Sequence, residues 1–175
     1  MSDNLENFIG KFNGGNRTHR YDVDMSLPSG INDEGQNSRF FIRAVSLPPS
    51  QINPIRIPYR GRLLKWPGDR IYFPWTFRVL DQNEGDNKSL WNSFNEWSNR
   101  INDNKENTSN QDWGSFTSDW TIKQIGYDGG ATKTITLFDC WPTIVGPISM
   151  DANSIDTLVE FTVTVEYTYH TVAGT

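Results

Sequence analysis

Thr157-Leu158-Val159-Glu160-Phe161-Thr162-Val163-Thr164-Val165-Glu166-Tyr167-Thr168-Tyr169-His170 is the stretch on which the fold turns. Val159, Phe161, Val163, Val165, Tyr167 and Tyr169 fall on one side of a period-two alternation. Leu158, Glu160, Thr162, Thr164, Glu166, Thr168 and His170 fall on the other. That period belongs to a β-strand and not to a helix. The apolar side is β-branched and aromatic, which suits a pleated surface. At ~3.4 Å per residue an unbroken strand would run about 45 Å, longer than most strands. The stretch therefore predicts a large curved sheet with one face on a core and one wet, acidic face that something must use.

Working outward, the rest of the chain is also mainly β. Residues 1–17 read as an N-terminal arm, with Leu5, Phe8, Ile9 and Phe12 on one stripe of a short helix and Gly14-Gly15 ending it. Strands are expected near 21–25, 38–46, 59–66, 70–80, 116–127 and 132–141, with a short one near 148–150 after a Trp141-Pro142 corner. Pro67-Gly68 reads as a type II turn and Asp128-Gly129-Gly130 as a hairpin turn. One helix is clear, about 89–101, where Leu90, Trp91, Phe94, Trp97 and Ile101 make an apolar stripe; Asp86 or Asn87 is placed to cap it. Residues 102–113 form a polar loop. The expected architecture is a rolled antiparallel β-barrel or sandwich with one main helix, spanning 18–170, followed by a C-terminal tail at 171–175.

Composition narrows the function. The 175 residues fit one domain, and a net charge of −5 argues against gripping nucleic acid through its phosphates. The single cysteine, Cys140, excludes an internal disulfide and reads as a small core residue. No apolar run reaches membrane-span length and no leader pattern opens the chain, which predicts a soluble protein made in a cytoplasm.

Catalytic chemistry finds no foothold. His19 and His170 stand apart from any Cys, and neither a zinc spacing, a nucleophile elbow nor a phosphate loop occurs. Asn102 to Glu106 offers calcium-type ligands but lacks the glycine and terminal glutamate of an EF-hand. Glu160 and Glu166 lie about 20 Å apart along a strand, too far for a glycosidase pair. No enzymatic activity, metal or cofactor is expected. Arg56, Arg60, Arg62 and Lys65 form the one local basic group, suited either to protecting an edge strand or to meeting an acidic neighbouring subunit.

Two patterns carry a family resemblance. The first is Leu47-Pro48, an Ile/Pro-rich stretch, Arg62, Gly68-Asp69-Arg70, Trp75 and Val79. The second is Trp141-Pro142-Thr143, Val145-Gly146 and, a dozen residues on, the alternating strand. Together they resemble the tail tube proteins of contractile-tailed bacteriophages, whose fold is shared by the hemolysin-coregulated ring protein of type VI secretion. The resemblance spans about Phe8 to Tyr169. It implies a hexameric ring with a continuous inner β-barrel, stacked into a tube inside a contractile sheath, through which phage DNA is delivered without specific binding. It implies a virion protein assembled in the host cytoplasm, with the sheath, baseplate and tail-terminator proteins as partners.

Carried to single residues, it makes Glu160, Thr162, Thr164 and Glu166 channel-lining candidates. Arg56, Arg60, Arg62 and Lys65 become ring-stacking candidates, and Asn92, Glu96 and Arg100 on the outer helix become sheath-contact candidates. Six copies would carry about −30 in net charge, and a Glu/Thr wall would repel phosphates. Alternatives within the fold are a baseplate tube initiator or a secretion-tube ring protein. A distant one is a carbohydrate-binding β-sandwich using Trp66, Trp113 and Trp120.

Overall fold

The terminal alternation folds as two strands, not one. In the computed structural model, which describes residues 5–12, 15–31, 41–81 and 89–174, β8 runs over Glu160–Glu166 and β9 over Tyr169–Gly174. The break at Tyr167-Thr168 is matched in β7 (Ala131–Val145) by Asp139, whose φ is +57°. Aspartate tolerates that left-handed conformation better than most residues. β9 pairs with the first half of β7, from Phe138↔Tyr169 to Lys133↔Gly174. β8 pairs with its second half, from Trp141↔Glu166 to Val145↔Val163. The Thr168 amide donates to the Phe138 carbonyl at 3.0 Å, holding the corner. Two consequences follow. Thr171 to Gly174 belongs to a paired strand and not to a tail. The corner lies at Asp139 and not at Trp141-Pro142, which continue inside β7; no strand forms at 148–150.

Around this corner the sheet rolls up. β1 (Tyr21–Asp24), β6 (Ser118–Ile125), β7, β8, β5 (Trp75–Leu80) and β2 (Ile42–Val45) are neighbours in that order, every pairing antiparallel. The expected residues 38–40 of the second strand lie outside the described residues. β1 and β2 do not pair as strands; the Tyr21 hydroxyl spans the gap to the Ile42 carbonyl at 2.8 Å. The roll closes on Trp75, Phe77, Trp120, Leu137, Val163 and Val165, each at most 2% exposed. Trp120 is therefore core and not a sugar-stacking surface residue.

Helix α1 (Leu5–Phe12) forms as its spacing predicts, with no residue buried. Helix α2 (Leu90–Ile101) lays Leu90, Phe94 and Trp97 into the core. Its cap is Ser89, whose Oγ accepts from the Asn92 amide and donates to the Asp81 carboxylate at 2.7 Å. Asp86 and Asn87 lie outside the described residues. The polar stretch after α2 is pinned by local bonds: Asp103 Oδ1 accepts from the Lys105 and Glu106 amides at 2.9 and 2.8 Å, and Asn102 bridges Ser109. Short helix α3 (Trp113–Phe116) follows, its Phe116 carbonyl accepting from the Trp97 indole at 2.6 Å.

β3 (Ser50–Tyr59) and β4 (Arg62–Tyr72) form a separate two-stranded hairpin. Its turn is Arg60-Gly61, with φ of +45° and +79°, the sign pattern of the tight hairpin turn that matches strand twist. Pro67-Gly68 is not a turn. It sits inside β4, opposite the register shift between Ile52 and Pro54. There the strands approach so closely that a Cβ on Gly68 would lie 2.6 Å from the Asn53 carbonyl oxygen. Three prolines (Pro54, Pro58, Pro67) are tolerated because a two-stranded ribbon leaves half its backbone donors unpaired anyway.

Candidate functional site

The residues singled out in the sequence lie on three surfaces of the described structure. Cys140 is fully buried, and burial, followed by the nearby Asp119 carboxylate, pushes its thiol far above the ordinary range. A thiol held protonated is a poor nucleophile. Among the described residues no group of three or more His, Cys, Asp or Glu is placed to hold a metal ion, and no helix is long and apolar enough to cross a membrane.

The first surface is the outward face of the β2–β5–β8–β7 sheet. Phe161, Val163 and Val165 point into the core, so Glu160, Thr162, Thr164 and Glu166 share the opposite face. Cross-strand neighbours complete it: Thr162 lies opposite Arg78, and the Thr164 hydroxyl is 3.0 Å from that of Thr76. The acidity expected of this face is not what the structure builds. Arg43 of β2 forms a salt bridge to Glu160 Oε1, and Arg78 stands 3.7 Å from Oε2. Both guanidiniums are over half exposed while Glu160 is only 23% exposed. With Arg43 and Arg78 set against Glu160 and Glu166, the face is charge-balanced and rich in hydroxyls. Arg43 lies 117 residues from Glu160 in sequence, so no local pattern flagged it.

The second surface is the hairpin. All of the ring-stacking candidates lie on it and all are exposed. Their faces differ, because cross-strand partners share a face. Arg56↔Lys65 and Pro58↔Leu63 occupy one side; Ile55↔Trp66, Ile57↔Leu64 and Tyr59↔Arg62 occupy the other. Arg60 at the tip lies over the Tyr59 ring at 5.3 Å, which places its guanidinium on the Tyr59 side. The hairpin meets the roll at its root. The Trp75 indole donates to the Ser46 carbonyl at 2.6 Å, and the Tyr72 ring packs on those of Tyr167 and His170 at 5.9 and 5.0 Å.

The third surface is the outer side of α2. Asn92 and Glu96 are exposed on it. Arg100 is half-buried and donates to the Ser29 carbonyl at 2.6 Å, so it ties α2 to the segment after β1 as well as edging this surface. Of the aromatics weighed for sugar binding, Trp66 and Trp113 are exposed, on the hairpin and α3, remote from each other in the chain and in separate elements.

The family model described as phage tail tube protein matches residues 16–173. The tail tube protein of Serratia phage KSP90 is 30% identical over 158 residues, covering 88% of this chain and 86% of its own. Tail tube protein gp19 of Enterobacteria phage T4 is 25% identical over 136 residues, covering 77% and 82%. Among solved structures, a chain of the sheath–tube complex of the extracellular contractile injection system PVC aligns with a TM-score of 0.62 at 16% identity, over 98% of this chain and 99% of that one. A chain of the anti-feeding prophage baseplate aligns at 0.64 and 15% identity, over 90% and 95%. At such identities the structural likeness speaks for the fold, and the roll with its detached hairpin is that fold; the sequence match over nearly the whole chain makes this protein a member of the phage tail tube protein family.

Proposed function

We propose that six copies of this chain form a ring, that rings stack into the inner tube of a contractile tail, and that the Thr-rich face lines the channel through which DNA passes. The observation that carries this reading is the build of the β2–β5–β8–β7 sheet. One face is core, the other is hydroxylated and charge-balanced, and among the described residues no strand pairs with the outer edge of β2 or of Trp141–Val145. An open sheet edge invites pairing, and joining such edges around a ring removes both. The membership of the tail tube family supports the same arrangement.

A balanced wall gives DNA little net attraction. Phosphate binding needs surplus Lys and Arg, and here each is offset by a carboxylate on the same face. Thr162 and Thr164 keep that wall hydrated. Glu160 contributes less repulsion than a bare carboxylate, since two guanidiniums flank it. On the outside, Asn92 and Glu96 of α2 face the sheath, and the ring ends meet baseplate and terminator proteins. Assembly takes place in the host cytoplasm, and the product is part of the virion.

Cryo-microscopy of the polymerised protein tests the reading. Six-fold rings with Thr162 and Thr164 on the channel wall are expected. Another symmetry, or a map with those threonines buried between subunits or turned outward, overturns it.

A further inference from the structure

The outward face of the β2–β5–β8–β7 sheet is neutral in sum, but its charges are unevenly spread. Arg43 and Arg78 both stand at the Glu160 end of β8. Glu166 lies at the other end of β8, roughly 20 Å away along the strand. That separation exceeds the screening length of about 8 Å in physiological salt. Two guanidiniums therefore share one carboxylate, and this end of the face carries a surplus positive charge.

The two arginines are not equivalent. The register of β2 on β5 shifts between Ile42 and Ala44, and such a bulge re-aims the side chain it carries. Here it is Arg43, which bonds Glu160 Oε1 directly. Arg78 comes from the regular part of β5, between Ala44 on β2 and Thr162 on β8. It stands 3.7 Å from Glu160 Oε2, beyond hydrogen-bond reach, and its side chain is 57% exposed. Among the described residues its guanidinium makes no hydrogen bond, so its rigid fork of N–H donors is available. Beside it lies a shallow, open depression of about 280 Å³, edged by Ala44, Ser46, Thr76, Arg78 and Thr162. Alanine at position 44 leaves room that a longer side chain would fill. The Thr76 hydroxyl is 3.0 Å from that of Thr164, and Thr162 is exposed. A guanidinium fork and threonine hydroxyls around one concavity are the groups that hold phosphate oxygens.

We propose that Arg78, with Thr76 and Thr162, seats a phosphate group, and that Glu160 limits how tightly it is held. Arg43 engages the carboxylate directly, while Glu160 draws on Arg78 only at a distance. The seat thus keeps one surplus charge per copy, enough for a brief contact and too little for a lasting grip. On the channel-wall reading, the phosphate is a phosphodiester of the nucleic acid that passes. The inference rests on that reading for the source of its ligand, whereas the seat itself belongs to a single copy. Substituting Glu160 would turn a passing contact into a retaining one.

Arginine side-chain NMR of the purified chain, titrated with inorganic phosphate at constant ionic strength, tests the seat. A saturable shift of the Arg78 Nε–Hε signal is expected. Glu160→Gln should tighten it by about tenfold and Thr162→Val weaken it by about as much, by charge and by lost hydrogen bonding. Both substitutions alter side chains on the wet face and leave the core intact. An Arg78 signal that stays still, or one indifferent to Glu160→Gln, overturns the proposal. A short DNA duplex, followed by fluorescence anisotropy at low salt, tests the source. Glu160→Gln is expected to bind it about tenfold more tightly than the native chain, with a salt slope steeper by about one, and adding Arg78→Gln should abolish the gain. Inorganic phosphate that shifts Arg78 while the duplex shows no such gain overturns nucleic acid as the source. Particle symmetry separates this inference from the ring: six-fold rings with Thr162 on the wall but an unresponsive Arg78 discard only the seat. A responsive Arg78 in a chain that forms no ring discards only the tube.

Discussion

At Trp120 the indole N–H donates to the Ser26 carbonyl at 2.8 Å, and the ring meets Trp75, Phe77, Phe94 and Trp97 at centroid separations of 5.7 to 6.5 Å. These rings come from β5, α2 and β6, so one side chain ties the helix to both halves of the roll. Trp120→Ala is expected to cost about 3–5 kcal/mol in urea unfolding, from lost transfer energy and a poorly collapsing cavity. A loss under ~1 kcal/mol would mean the core is not organised around this ring. The sequence reading weighed Trp120 only as a sugar platform, although an isolated tryptophan serves a core equally well. The neighbouring Ile122 at period two was the signal for the core. Glu160 is the opposite case: its alternation placed it correctly on the wet face, but its salt bridge to Arg43 depends on the β2–β5–β8 neighbourhood. A residue's face is written locally, whereas its electrostatic company is not.

Among the elements, the hairpin departs furthest from expectation. Pro67-Gly68 is a stronger turn dipeptide than Arg60-Gly61, because arginine pays a steric cost at positive φ. Register overrules it. Turning at Arg60-Gly61 pairs Ile55 with Trp66 and Ile57 with Leu64 on one face, and cross-strand pairs are what stabilise a ribbon. Gly61→Ala introduces a Cβ at φ +79°, an expected local cost of about 1–2 kcal/mol. Hydrogen exchange should quicken in β3 and β4 while the melting temperature of the roll hardly moves, since the two parts share only the root. A matching drop in the roll's own stability would show that the hairpin is not independent. The same lesson applies to β8 and β9. Unbroken alternation from Val159 to Tyr169 could not announce the break at Tyr167-Thr168, because the cause is Asp139 on the partner strand.

On the scale of the whole molecule, the hairpin is held to the roll by an aromatic joint that contains a titratable group. His170 stacks edge-on with Tyr72 and lies 3.3 Å, through Nδ1, from the Tyr167 hydroxyl. Burial, and then the Arg70 charge, hold its imidazole below its ordinary value of 6.5. Burial also raises Tyr167, to about 12, so that hydroxyl stays neutral near pH 7. A base whose folded pKa is depressed binds its proton more readily when unfolded. Its contribution to stability is therefore complete above pH 6.5 and is lost as pH falls through the lowered folded value. Thermal melts from pH 7.5 down to 5 should decline more steeply for the native chain than for His170→Gln; parallel curves would remove His170 from the joint's pH response. The amino-acid sequence by itself determined the β class, the inward set Phe161, Val163 and Val165, the helices near 5–12 and 90–101, and the family, because periodicity and motif order are local properties of the chain. The tertiary structure decided the corner at Asp139, the turn at Arg60-Gly61 and the ion-paired setting of Glu160. Each of these depends on which distant strands become neighbours and in what register, and that is set by burying the whole core at once.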